Sequence, residues 1–346
     1  MAFFGVTLEE IDSVKTHPNA DRLSVATMKG LAFQFVIAKD QFQVGERVLY
    51  FPIDALLPEP VISKLNLTGK LSGPKKNRIK SIKLREVISQ GIVARPGLFF
   101  TPQELAQLNS DQITQKLGVE KHEPLPVFSN SADLVPLPTG IDKYDIEGAD
   151  RFQPIIDELL AQDVVVTEKM EGSNFSIHKD GAGQIFVNQR NYSIKEISGK
   201  THTFWDTARN LGLLEFMSKV PNETTIFAEI CGPGIQGNIY GLKEVTLYVF
   251  DIRQNHQWLG FERFSQMMAQ LLNKTRVKQA PVLYRGILKD YLNNNSVQVI
   301  SNGPSQVKAE IKREGIVIKP VVEQTHPLIG RLIIKQRSPE YLAAEK

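Results

Sequence analysis

The sequence predicts an α+β chain in two parts: a small β-barrel, then a larger domain of antiparallel sheets flanked by helices. Three observations carry this. Short strand-like runs between glycine turns fill the first hundred residues. A stretch holding Pro124, Pro126, Pro136 and Pro138 reads as a linker. Beyond it, β-branched apolar runs alternate with amphipathic helical periods. With 346 residues, 42% hydrophobic and 23% charged, the chain suffices for two domains of ordinary size. We place the boundary near residue 130, giving domains 1–130 and 131–346.

In the first domain, strands are expected at Ala2 to Leu8, Leu23 to Met28, Phe33 to Ile37, Arg47 to Phe51 and within Ile79 to Arg95, with turns at Gly30, Gly45 and Gly73-Pro74. Short strands without strong helices suggest a closed or partly closed barrel. His17-Pro18-Asn19-Ala20-Asp21-Arg22-Leu23 is a turn in which Pro18 sets φ and Asn19 or Asp21 can bond local backbone. It resembles the HPNADRL signature of the OB-fold tRNA-binding domains of some tRNA synthetases, which makes the barrel OB-like. Lys75, Lys76, Arg78, Lys80, Lys83 and Arg85 place six cations within eleven positions. On a strand, Lys83 and Arg85 would share one face and Ile82 and Leu84 the other, a ribbon suited to a phosphate backbone. The plainer reading is a solvated loop. After it, Thr101, Pro102 and Glu104 form a capping box for a helix to Leu108, and Asp111 to Leu117 forms another helical turn.

The net charge of +3 permits a polyanionic partner without arguing for one. Cys231 is the single cysteine, which excludes an internal disulfide and a cysteine metal cluster. No apolar run approaches the roughly 20 residues of a membrane span, and no secretory segment is evident. A cytoplasmic, monomeric protein without membrane contact is expected.

The second domain is organised around Val164 to Phe175, VVVTEKMEGSNF. The β-branched run is a buried strand that delivers Lys169 to its end, and Gly172-Ser173-Asn174 turns the chain. A lysine amine attacks an electrophile only when neutral, and burial beside cations favours that form, so this position suits covalent catalysis. Lys-x-x-Gly alone is weak: Lys70 to Gly73 and Lys312 to Gly315 repeat it. Only the copy at Lys169 follows an apolar strand. A helix over Arg151 to Gln162 precedes it, and Phe186 to Tyr192 places Arg190 near a strand end. A continuous helix is expected over Thr203 to Val220 and another over Phe261 to Leu272. Strands Thr224 to Ile230, Val245 to Phe250, one within Arg313 to Pro320, and Leu332 to Ile334 lie beside charges at Glu229, Asp251, Glu314 and Lys335. Five charged strand ends, counting Lys169, are individually ordinary and jointly less so.

In order, these segments resemble the covalent nucleotidyltransferase superfamily of polynucleotide ligases and mRNA capping enzymes. Glu168-Lys169-Met170-Glu171-Gly172 resembles motif I, Phe227-Ala228-Glu229 motif III, and Tyr248-Val249-Phe250-Asp251 motif IIIa. Glu314-Gly315-Ile316-Val317-Ile318-Lys319 resembles motif IV, and Lys335-Gln336-Arg337 motif V. The EKxxGSNF form is similar to the RNA ligase 2-like branch, and the barrel ahead of it to the family-5 RNA ligases. The resemblance implies an adenylyltransferase (ATP-grasp-like ligase) domain and an ATP-dependent RNA ligase using Mg2+ or Mn2+. Its substrate would be RNA or an RNA/DNA nicked duplex, and AMP would become covalent on Lys169.

The resemblance also implies roles. Glu168 would contact adenine, Phe250 would stack on it, and Glu229 would meet the ribose or metal-bound water. Glu314 would position the cation through its waters. Lys319, Lys335 and Arg337 would contact phosphates, and Asn174 and Arg190 would serve the α-phosphate or the incoming 5′-phosphate. Lys143 and Arg151 are further candidates for the pyrophosphate. Arg337 departs from the usual Lys-x-Lys form of motif V, and as arginine it can hold phosphate but not exchange a proton. Only nine residues follow Arg337, which argues against capping enzymes and conventional DNA ligases with their later OB domain. The competing reading is a non-catalytic nucleic-acid-binding protein with a degenerate ligase domain. The intact lysine and acids speak against it.

Overall fold

The computed structural model describes residues 3–123, 133–141 and 143–344. Pro124, Pro126 and the expected boundary near 130 lie outside the described residues. The chain forms two compact units: Ala2–Pro124 with Gly148–Asp157 and Arg337–Lys346, and Leu125–Glu147 with Glu158–Gln336.

In the first unit, β1 (Thr7–Thr16), β2 (Leu23–Met28), β3 (Gln34–Ala38) and β4 (Arg47–Phe51) are joined by β5 (Ala55–Leu56), α1 (Glu59–Lys64), β6 (Ile82–Leu84), β7 (Val87–Ser89) and β8 (Ile92–Ala94). The main sheet runs β3-β2-β1-β4-β8 with antiparallel neighbours. Gln90 donates its backbone N–H to Gln34 and Val36 donates to Ser89 Oγ, so the β7 segment meets β3 and nearly closes the barrel. β4 shows why the sequence rolls up. Val48 and Tyr50 enter the cluster of Ile11, Met28 and Phe35, while Leu49 and Phe51 pack with Ile62, Ile113 and Leu117. Apolar residues at both parities require cover on both faces. α2 (Pro102–Leu105) carries the expected Thr101/Glu104 capping box, and α3 (Ser110–Leu117) and β9 (Glu120–Lys121) follow. The first strand is Thr7–Thr16, not Ala2 to Leu8.

The basic run departs from the expected ribbon. Lys75 and Lys76 lie on an exposed turn, Arg78 pairs with Asp54 at 2.6 Å, and Lys83 pairs with Glu86 at 2.9 Å. Arg85 and Glu86, at φ 45° and 73°, are the two central residues between β6 and β7. A two-residue hairpin turn selects this left-handed backbone. Arg85 is therefore a turn residue and does not share a strand face with Lys83. The HPNADRL turn braces this hairpin: buried His17 places Nε2 3.1 Å from the Leu84 carbonyl, and Asn19 Nδ2 donates to the Arg85 carbonyl.

The second unit begins with β10 (Leu134–Pro136). Around the junctions lie β11 (Glu147–Gly148) and α4 (Gln153–Leu159), then β12 (Asp163–Lys169), β13 (Ser173–Lys179), β14 (Ile185–Asn188) and β15 (Tyr192–Ile194). The expected helix over 203–220 is two helices, α5 (Thr203–Asn210) and α6 (Leu213–Lys219), broken where Gly212 adopts φ 79°. A left-handed residue cannot continue a right-handed helix. Then come β16 (Thr224–Cys231), β17 (Thr246–Gln254), β18 (Gln257–Trp258), α7 (Phe261–Lys274), β19 (Lys278–Gln279) and β20 (Val282–Ile287). α8 (Leu288–Leu292), α9 (Val297–Ser301), β21 (Gly315–Pro320), β22 (Thr325–His326), β23 (Gly330–Arg331), β24 (Ile334–Arg337) and α10 (Pro339–Ala344) complete the chain.

Two sheets result. One runs β10-β15-β14-β13-β16-β17-β18 with β19 beside β17, and the other runs β11-β24-β21-β12-β20. The first buries Phe175, Ile177, Ile226, Ala228 and Val249 against Phe204, Met217, Phe264 and Met268 of α5, α6 and α7. β17 continues past Phe250, so Asp251 is inside the strand rather than at its end. β24 likewise contains Lys335 and Arg337 instead of preceding them.

Candidate active site

Lys169 is the last residue of β12, opposite Gly315 at the start of β21. This register sets Glu314 beside it, and the two side chains meet with Nζ 2.7 Å from Oε1. Val164, Val165 and Val166 anchor the strand in the interior, while the Lys169 side chain keeps 24% exposure, so a fixed backbone presents a reachable amine.

The turn after Lys169 lies hard against β16. A Cβ added to Gly172 would come within 2.4 Å of the Ile230 carbonyl oxygen and 2.8 Å of Glu229 Cγ. Only glycine permits this approach, which is a physical reason for the glycine three places after the lysine. Asn174 on β13 pairs in register with Glu229, which is also opposite Tyr248 of β17.

Four carboxylates serve this region. Glu168 is buried; its Oε2 accepts the Gln306 N–H at 2.7 Å, and its buried Oε1 has no hydrogen-bond partner. Glu171 accepts from the Gly237 N–H through Oε1, while its buried Oε2 has none. Burial pushes Glu229 up to about 8; the Lys169 ammonium opposes this, and the Glu314 and Glu171 carboxylates add to it. Glu171 is raised for the same reasons, burial first. Lys169 and Arg190 lower Glu229 without offsetting its burial and the two neighbouring carboxylates. Glu171 falls within motif I, and the resemblance assigns it no role. Its place two residues after the lysine was the available signal.

β17 carries a bulge here. Phe227 pairs with Asp251 and Ala228 with Val249, leaving Phe250 as the extra residue. Bulges re-aim side chains beside sites. Phe250 packs near Met170, Tyr248 and Ala280, with its ring centroid 5.0 Å from Tyr144. Asp251 is fully buried and accepts from Lys319 Nζ at 3.0 Å, Arg331 Nη1 at 2.5 Å and the Tyr144 hydroxyl at 2.8 Å. Burial alone would raise its carboxyl, but Arg331 and Lys319 outweigh burial and hold it at about 2. Arg331 also pairs with Glu323.

The remaining candidates divide. Arg190 pairs with Asp145 at 2.7 Å, and Lys335 lies half-buried in β24. Lys319 is buried on Asp251. Arg337 pairs with Asp54 at 3.1 Å, sharing that carboxylate with Arg78, and Arg151 stacks over the rings of Phe3 and Tyr50. The arrangement therefore gathers Lys169, Glu171, Glu229 and Glu314, with Glu168 held by the Gln306 N–H, while Lys319 and Arg337 are engaged with acids of their own.

The donor set suits a hard divalent cation, since all of its anionic donors are carboxylate oxygens and one oxygen of Glu171 is buried without a partner. Among the described residues no three acidic, histidine or cysteine side chains converge closely enough to enclose a bare ion. Mg2+ or Mn2+ that keeps its waters fits these carboxylates. Nor is any helix among the described residues long and apolar enough to cross a membrane.

Comparison with known proteins agrees with this geometry. The Naegleria gruberi RNA ligase with ATP and Mn superposes with a TM-score of 0.82 at 27% identity, covering 99% of each chain. The same ligase with AMP and Mn gives 0.81 at 28% over 98% of each, and with PPi 0.81 at 27% over 97% of each. A bacterial phenylalanine–tRNA ligase beta subunit, from Acinetobacter baylyi, is 25% identical over 186 residues. That match takes in 52% of this chain, which spans only 21% of the length of that relative. An OB-fold domain profile matches residues 5–96, and the RNA ligase profile matches residues 162–336, half of the chain. The chain belongs to the RNA ligase family.

Proposed function

We propose that this chain is an ATP-dependent RNA ligase that joins a 3′-hydroxyl to a 5′-phosphate in three steps. Lys169 Nζ attacks the α-phosphate of ATP, forming the lysyl-AMP bond and expelling pyrophosphate. The AMP passes to the 5′-phosphate of the nucleic acid, which frees the lysine. The 3′-hydroxyl then attacks that phosphate, forming the phosphodiester and releasing AMP. The observation that carries this reading is the contact of Lys169 with Glu314 at 2.7 Å, in the neighbourhood of the Glu229 and Glu171 carboxylates.

The residues act by holding and by moving protons. Glu314 Oε1 is the nearest acceptor for the proton that Nζ sheds before attack. Glu168 faces the adenine with its unpartnered Oε1, and Phe250, re-aimed by the bulge, stacks on the base. Glu229, Glu314 and Glu171 hold the hydrated Mg2+ or Mn2+, which supplies positive charge against the phosphate oxygens. Asn174, Arg190, Lys335 and Arg337 contact phosphates, and Lys319 does so by exchanging Asp251 for a phosphate oxygen. Lys143 and Arg151 serve the pyrophosphate.

The division near residue 130 separates substrate engagement from adenylylation, with Lys75, Lys76, Arg78, Lys80, Lys83 and Arg85 on the nucleic acid. The enzyme acts as a cytoplasmic monomer on nicked duplex RNA or RNA/DNA. A decisive assay supplies a pre-adenylylated strand, because the lysine is the nucleophile only in the first step. Lys169→Ala should seal that strand and fail on the 5′-phosphate strand with ATP. Equal sealing of both strands by this variant would end the proposal. A panel of nicks with RNA or DNA on each side then identifies the substrate.

A further inference from the structure

Arg313 is 8% exposed and sits immediately before Glu314. Its guanidinium donates to three consecutive backbone carbonyls at the end of α9. Nε donates to Ser301 at 3.1 Å, and Nη2 donates to Ile300 at 2.7 Å and to Asn302 at 3.1 Å. Its backbone N–H donates to the Gly303 carbonyl at 3.0 Å. The fit is close: a Cβ on Gly303 would lie 2.9 Å from Nη2, and Gly303 has φ 149°.

These bonds clamp the two ends of the loop from Pro304 to Lys312. Pro304 and Lys312 form a bridge, and Ser305 donates its N–H to the Ile311 carbonyl. Inside that loop is the Gln306 N–H that holds Glu168 Oε2 at 2.7 Å. On the other side of the arginine is Glu314, 2.7 Å from Lys169. One buried guanidinium therefore secures two separate contacts to the catalytic strand, one to each of the adjacent residues Glu168 and Lys169.

We infer that Arg313 is a positioning residue, which sets both the loop that holds Glu168 and the carboxylate that meets Lys169. It touches no reacting atom. The inference rests on the adenylylation reading above, and on a property particular to arginine. A planar fork places donors on carbonyls that diverge, whereas the ammonium of lysine is a single point. Arg313→Lys preserves charge and approximate length and still leaves a carbonyl without its donor.

Two measurements on the full chain test this. The first is hydrogen exchange at the Gln306 amide, compared with the Met268 amide in α7, with no nucleotide or metal added. The second is the Mn2+ concentration that half-saturates lysine adenylylation with ATP. Because it does not depend on the fraction of protein folded, a partly unstable variant still answers. Arg313→Lys should quicken Gln306 exchange at least about tenfold with Met268 unchanged, and should raise the Mn2+ requirement several-fold. Gly303→Ala, which presses on the fork without removing it, should move both in the same direction. A variant in which either quantity matches the wild type reduces Arg313 to a helix cap and overturns the inference. Wild-type protein that forms no lysyl-AMP would instead sink the ligase reading itself, so the two failures are told apart.

Discussion

Lys169 Nζ and Glu314 Oε1 stand 2.7 Å apart because β12 and β21 are paired in a register that sets Lys169 opposite Gly315. The nucleophile and its nearest acid thus come from segments 145 positions apart in sequence and are aligned by backbone hydrogen bonds. Glu314→Gln keeps the shape but loses the charge that attracts a hard cation. We expect adenylylation to fall at least about a hundredfold, in the range of a lost electrostatic partner. A variant with wild-type rate and magnesium dependence would make Glu314 a structural acid.

Glu229 gives a pH dependence whose sign runs against the usual carboxylate. Its folded pKa is raised from 4.5 to about 8, so between these values the folded chain binds more protons than the unfolded one. Stability in the absence of metal should therefore fall as pH rises from about 5 to 8. Glu229→Gln should remove that slope and raise stability near pH 8 by about 4 kcal/mol while abolishing sealing. Thermal melts in chelator across this range read the slope directly; a flat wild-type profile would contradict the assignment.

Asp251 behaves in the opposite sense. Held at about 2 by Arg331 and Lys319 despite burial, it contributes stability that is complete above its unfolded value near 3.8 and lost as pH falls towards 2. Asp251→Asn leaves Lys319 and Arg331 with Glu323 alone, so we expect a loss of about 3 kcal/mol. Urea denaturation at neutral pH measures it. A loss below about 1 kcal/mol would mean that Glu323 suffices.

Much of the site was legible because its signals are local. Val164 to Val166 mark a buried strand, and Gly172 ends it for a reason now visible in the closeness of Ile230. What escaped was set by distant partners. The bulge that displaces Phe250 exists only in the pairing of β16 with β17, so the sequence alone puts Asp251 at a strand end. β20 was missed because Val282 and Ile287 are exposed on an edge strand and give no clean alternation. The Arg337–Asp54 pair spans 283 positions, and no spacing rule reaches that far. Gly212 was visible in the sequence, yet the apolar period on both sides of it outweighed one glycine.

The basic run separates into groups with different expected phenotypes. Arg78 is tied to Asp54, so Arg78→Ala should cost about 1–3 kcal/mol of stability. Lys75, Lys76 and Arg85 are exposed, and neutralising all three should leave the melting temperature within a few degrees. Binding of the triple variant to nicked RNA should weaken, and its dependence on log salt should flatten by about two to three units. An unchanged slope in the folded protein would show these cations to be only solvated.

The central claim is that Lys169 becomes covalently adenylylated. The direct measurement is incubation with ATP labelled at the α-phosphate and Mn2+, followed by denaturing electrophoresis and peptide mapping. The account predicts label retained on the wild type, located on the peptide containing Lys169, removed by added pyrophosphate, and absent from Lys169→Ala. Label retained by Lys169→Ala, or found on another lysine in the wild type, would contradict it.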